Sequence, residues 1–141
     1  MKISARNQLK GVISNVKDGA VNGVVSIDLG DATIKADITM EAIESLGLEE
    51  GMESYAIIKA TNVMFAAGSE RIANISARNQ LVGTIESVKE GAVNGHVRLA
   101  LADGSHIMGS ITNEAIENLG LKAGEPAVAI IKATDVIVGV E

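Results

Sequence analysis

Ser4-Ala5-Arg6-Asn7-Gln8-Leu9 recurs unchanged as Ser76-Ala77-Arg78-Asn79-Gln80-Leu81. The same register shift carries Gly19-Ala20-Val21-Asn22-Gly23 onto Gly91-Ala92-Val93-Asn94-Gly95. One extra residue near Ala102–Gly104 then advances the register by one. Beyond it, Ile38-Thr39 matches Ile111-Thr112, and Glu41-Ala42-Ile43-Glu44 matches Glu114-Ala115-Ile116-Glu117. Ile57-Ile58-Lys59-Ala60-Thr61 matches Ile130-Ile131-Lys132-Ala133-Thr134. A repeat of roughly 70 residues is too long for a solenoid unit and fits a duplicated small domain. The expected organisation is a first domain over 1–66, a linker over 67–74 and a second domain over 75–141. Ala67 to Glu70 reads as a short flexible joint.

Each copy reads mainly as strand. Leu9 to Val16 is an interrupted apolar run that ends at a Lys17-Asp18-Gly19 turn. Val24 to Leu29 is rich in β-branched residues and stops at Gly30-Asp31. Ile34, Ala36 and Ile38 alternate with Lys35 and Asp37, the period-2 pattern of a half-buried strand. A short helix follows, with Thr39 as N-cap, Glu41 at the positive end of the dipole and Gly47 as its stop. Ile38 and Ile43 have staple spacing. Tyr55–Ala60 and Val63–Phe65 complete the set. Five strands and one short helix per copy predict a mainly β chain: two tandem, OB-like, five-stranded Greek-key barrels. Barrels this small sit near the lower limit of independent stability, and their apolar endings leave strand edges to cover. Oligomerisation is therefore expected.

Composition narrows the function. The 141 residues hold no cysteine, which removes disulfides, thiolate metal sites and cysteine nucleophiles. The start, MKISARNQ, lacks the apolar run of a secretory signal, and no stretch is apolar enough for a membrane span. The expected location is the cytoplasm. A net charge of −6 argues against nucleic acid or an anionic membrane as partner. With Tyr55 and Phe65 as the two aromatics, stacking on bases has almost no support.

Divergence between the copies acts as a filter. Val24 has become His96, Ser26 has become Arg98 and Lys35 has no cationic counterpart. Polar residues kept in both copies are Ser4/Ser76, Arg6/Arg78, Asn7/Asn79, Gln8/Gln80, Lys17/Lys89, Asn22/Asn94, Thr39/Thr112, Glu41/Glu114, Glu44/Glu117, Lys59/Lys132 and Thr61/Thr134. Arg6 lies beside a strand start, and Lys59 ends an apolar strand. A tetrahedral oxyanion needs converging donors, and hydroxyls, backbone N–H groups, a Lys and an Arg supply them. The helix start at Thr39–Ala42 adds N–H groups. The plainer alternative stays open, since a strand-ending Lys commonly just reaches solvent. His96 and His106 read as surface or satisfied histidines rather than metal ligands. The Glu41/Glu44 set, with Glu49 and Glu50, reads as a solvated face rather than an acid/base pair. Gly19–Gly23 reads as a hairpin turn and lacks the spacing of a phosphate loop.

Ser-Ala-Arg-Asn-Gln at the start of each copy, Ile-Thr-x-Glu-Ala-Ile in the middle and Ile-Lys-Ala-Thr near the end resemble the Mop (molbindin) domain. The resemblance covers both copies and leaves only the linker outside. It implies an OB-like barrel that binds molybdate or tungstate at subunit interfaces of a homo-oligomer with threefold symmetry, a trimer where domains come in pairs. It also implies the ligands: Ser4, Arg6, Lys59 and Ala60, closed by Thr39, Glu41 and Ala42 from a neighbour. The second copy would use Ser76, Arg78, Lys132 and Ala133 with Thr112, Glu114 and Ala115. Turns at Gly19, Val21 and Asn22, and at Gly91, Val93 and Asn94, would line a second, axial class of site. Ala42 stands where some relatives carry Ser, so a backbone group must serve there.

The expected function is intracellular binding and storage of the oxyanion, with no enzymatic activity, no cofactor and no metal bound other than as oxyanion. No DNA-binding or ATPase domain is recognised in the sequence, which favours a store over a regulator or transporter subunit. Two other classes compete: a ligand-free oligomerisation module, and an OB-type nucleic-acid binder.

Overall fold

Along the first strand Leu9 and Ile13 are buried while Lys10 and Val12 are exposed, the alternation of a strand with one face in a core. The computed structural model describes all of residues 1–141. The first half runs β1 (Asn7–Lys17), β2 (Asn22–Asp28), β3 (Thr33–Thr39), α1 (Met40–Leu46), β4 (Glu53–Ile58) and β5 (Met64–Ala67). The second runs β6 (Asn79–Glu90), β7 (Asn94–Ala100), β8 (His106–Thr112), α2 (Asn113–Leu119), β9 (Pro126–Ile131) and β10 (Ile137–Gly139). A 3-10 turn follows β4 at Ala60–Asn62, and another follows β9 at Ala133–Asp135. No helix is long and apolar enough to cross a membrane.

The helix ends follow their capping residues. Thr39 Oγ1 accepts from the Ala42 amide at 3.1 Å, and Gly47 adopts the left-handed conformation at φ 61°. Thr112 and Gly120 repeat the arrangement around α2.

Two five-stranded antiparallel sheets result, and they do not divide as the sequence repeat does. The first is ordered β10-β4-β1-β2-β3, the second β5-β9-β6-β7-β8. Each half gives its last strand to the other: Ile137 faces Ile57, and Met64 faces Ile130. The apolar endings that seemed to need a partner molecule are thus paired inside one chain. The residues expected as a flexible joint are partly tied down. Ala67 belongs to β5, opposite Ala127. Further on, the Ile72 amide donates to Gln80 Oε1 at 2.6 Å, and Gln80 Nε2 donates to Ile72 O at 2.9 Å. One cluster of 25 buried apolar residues runs through both halves, so there is a single core rather than two.

Two buried amides fasten the halves together. Asn7, 3% exposed, accepts from the Met108 amide and donates to Met108 O, both at 2.8 Å, and donates to Ile58 O at 3.2 Å. Asn79, 1% exposed, accepts from the Lys35 amide at 2.7 Å and donates to Lys35 O at 2.8 Å. Each side chain therefore imitates a neighbouring strand at the edge of β8 or β3. This explains why both asparagines survive in both copies. Asn79→Ala would leave the Lys35 N–H and C=O unpaired in a part-buried setting, at a cost of about 2–4 kcal/mol. Urea unfolding should show it, and a loss below about 0.5 kcal/mol would mean that water replaces the amide.

Candidate oxyanion site

The β1/β4 ladder ends with Asn7 facing Ile58. Arg6 and Lys59 are the next residues on each strand, so Ser4–Arg6 and Lys59–Ala60 meet at one end of the ladder. The β6/β9 ladder ends likewise with Asn79 facing Ile131, which brings Ser76–Arg78 to Lys132–Ala133. Arg6, Lys59, Arg78 and Lys132 form no ion pair in the structure. Arg6 makes one internal contact, from Nε to Ser4 O at 3.1 Å.

Thr39–Ala42 lies elsewhere within its own half. Asn22 faces Thr39, and the Met40 amide donates to Val21 O at 2.7 Å. The helix start is therefore joined to the Gly19–Asn22 turn, at the other end of β1. The second half repeats this, with Asn94 facing Thr112 and the Asn113 amide donating to Val93 O at 2.8 Å. Two of the expected backbone donors are already used in each half, those of Met40 and Ala42 or Asn113 and Ala115. A ligand at these turns would meet the amides of Glu41 and Glu114 first. Glu41 and Glu114 themselves are exposed.

The strand exchange shortens the gap between the two sets. The turn after Lys132 packs against β3 of the first half, and the turn after Lys59 packs against β8 of the second. Each cationic end thus lies on the strand that leads to the other half's Thr39 or Thr112. The closing partner inferred for a neighbouring molecule has an analogue within the chain, although no single cavity gathers every expected residue.

One groove does combine both halves. Arg78 lines it together with Asn15, Lys17, Asp18, Gly19, Asn22, Gly23, Val24, Ser26, Lys35 and Asp37, around a volume of about 250 Å³. The interface and axial residue sets, separate in the sequence reading, share this groove through Arg78, Gly19 and Asn22. Asp37 was not singled out from the sequence. Its Oδ1 is shut off from solvent and accepts no hydrogen bond. The period-2 pattern put it on the polar face of β3, but nothing local indicated that it would share a groove with Arg78.

A neighbouring groove sets Lys35, Arg71 and Arg78 against Asp31 and Asp103. Burial pushes the Asp103 carboxyl up, but hydrogen bonds from the Ser105 side chain and from backbone amides outweigh it and leave the pKa lowered. That carboxylate is therefore a fixed negative charge. Across the molecule Arg6, Lys10, Arg98, Ser105 and His106 line the related groove. There Glu86 holds both His106 Nε2 at 2.5 Å and Arg98 Nε at 3.4 Å. His96 is exposed. Val21 and Val93, at the hairpin tips, are 75% and 71% exposed.

The TOBE domain family matches residues 3–65 and again 75–138. The molybdenum transport protein ModE of Herbaspirillum seropedicae is 39% identical over 142 residues, covering 100% of this chain and 52% of that protein. MopA of Rhodobacter capsulatus, a molybdenum-pterin-binding protein, is 39% identical over 97% of this chain and 52% of its own length. The chain spans about half the length of these curated relatives. A probable molybdenum-pterin-binding protein of Haemophilus influenzae is 51% identical over 65 residues, 45% of this chain and 94% of its own. Among solved structures, the cytoplasmic molybdate-binding protein ModG with molybdate bound superposes with a TM-score of 0.94 at 46% identity, over 100% of both chains. The family match falls on both repeats and leaves little outside them: the chain belongs to the TOBE domain family, which it carries as two tandem copies of the Mop type.

Proposed function

We propose that the chain binds molybdate or tungstate as the intact oxyanion and serves as a cytoplasmic store of it, without catalysis. One observation carries the reading. Arg6 with Lys59, and Arg78 with Lys132, are brought together at the ends of two equivalent strand ladders in a protein whose net charge is −6. Cations left unpaired beside hydroxyls and amides suit a dianion better than they suit water alone. The likeness to ModG, whose structure holds molybdate, supports the ligand and the compartment.

In this reading the ligands are Ser4, Arg6, Lys59 and Ala60, and Ser76, Arg78, Lys132 and Ala133. Thr39, Glu41 and Ala42, or Thr112, Glu114 and Ala115, close each set from a neighbouring copy in a homotrimer. Gly19, Val21 and Asn22, with Gly91, Val93 and Asn94, form axial sites where the exposed Val21 and Val93 tips of several copies meet. The units are residues 1–66 and 75–141, joined by 67–74, even though their last strands are exchanged.

Isothermal titration with molybdate, with sulfate and phosphate as controls, tests this in about 0.15 M salt, where charges are screened beyond roughly 8 Å. Saturable molybdate heat with little sulfate response is the expected result. Absence of molybdate heat, in protein free of carried-over metal, would sink the proposal.

A further inference from the structure

The two halves of the chain differ where they face the candidate ligand. In the groove at Arg78, Asp37 and Asp18 stand among Lys17 and Lys35. Asp37 lies on β3 two residues before Thr39, and its Oδ1 is shielded from solvent and accepts no hydrogen bond. At the equivalent positions the second half carries Ser110 for Asp37, Met108 for Lys35, Glu90 for Asp18, Lys89 for Lys17, His96 for Val24 and Arg98 for Ser26. Arg6 takes the place of Arg78.

We propose that the two oxyanion sites are unequal: Asp37 makes the one at Arg78 and Lys132, beside β3, the weaker, and Ser110 leaves the one at Arg6 and Lys59, beside β8, the stronger. This rests on the function proposed above. Formal charge alone does not settle the comparison, because Met108 also removes a cation. Screening does. The Lys35 side chain is exposed, so water reduces its pull on a ligand. Asp37 is half-buried with its Oδ1 shielded, so its repulsion of a dianion is screened less than the pull of the exposed Lys35. Arg98 adds little to the site beside β8, because Glu86 already holds it at 3.4 Å. Ser110 contributes a hydroxyl that donates to an oxyanion, whereas an ionised carboxylate can only accept.

The test is molybdate titration of the full chain as wild type, Asp37→Asn and Ser110→Asp, each checked for an unchanged melting temperature. Apart from any axial class, the interface sites of wild type should divide into two classes at least about 10-fold apart, the factor that about 1.4 kcal/mol corresponds to. Asp37→Asn should tighten the weaker class about 10-fold and leave the stronger unchanged. Ser110→Asp should weaken the stronger class by a similar factor. A single class of interface site in wild type, or an Asp37→Asn profile that superposes on wild type, overturns this inference while leaving molybdate binding intact. No heat with any of the three proteins overturns the functional reading, and the inequality falls with it.

Discussion

Gly109→Ala alone should destabilise the protein by about 2–4 kcal/mol, and Phe65→Val in the same chain should restore most of that loss. A Cβ on Gly109 would stand 2.3 Å from Phe65 Cε2 and 2.8 Å from Cζ, distances that ring and backbone cannot both keep. Phe65 arrives on β5, the strand lent by the first half, and fills the space over β8 that the missing side chain leaves. The corresponding positions in the other half are Ala36 and Val138, one methyl more on the strand and a smaller side chain on the lent strand. The chain thus contains two solutions to one packing problem, and the double substitution converts one into the other. Phe65→Val alone opens a void and should cost about 1–3 kcal/mol. A urea-unfolding cycle should therefore show a favourable coupling of at least about 1.5 kcal/mol. Strictly additive losses would show that the two residues do not compete for the same volume.

Lys59→Ala with Lys132→Ala should weaken molybdate binding by about 10–100-fold per site, the scale of one charge-assisted hydrogen bond to a dianion. Stability should hardly change, because both side chains are exposed and neither forms an ion pair. Titration and a thermal melt on the same sample separate the two effects. Arginine at both positions should recover part of the affinity. Affinity within twofold of wild type would remove the two lysines from the ligand set, and a fall in melting temperature of more than about 5 °C would assign them a structural role.

Most of the local structure was legible in the residues. Thr39 and Gly47 bound the helix as caps should, and the Ile34-Ala36-Ile38 alternation lies within β3. The pairing of the last strands was not legible, for a definite reason. Met64-Phe65-Ala66 and Ile137-Val138-Gly139 are both short and apolar, so neither run says which of two similar sheets it completes. Only the length and path of the segment between β5 and β6 decide that. Asn7 and Asn79 stood out as retained polar residues, but their partners, Met108 and Lys35, are backbone groups of the opposite half. Backbone groups leave no mark on the sequence. The sharing of one groove by Arg78 and Asp37 was hidden for the same reason, since it depends on how the halves are set against each other.

Strand exchange also sets a timetable for synthesis. The edge of β4 at Tyr55, Ala56 and Ile57 has no partner until Ile137–Gly139 has been made. At about 5–20 residues per second, that edge waits several seconds while the intervening chain emerges from the ribosome. During this interval β5 is likewise unpaired, since its partner β9 lies far downstream. The first sheet to begin is therefore among the last to close, and the nascent chain carries an open strand edge for nearly the whole second half of translation.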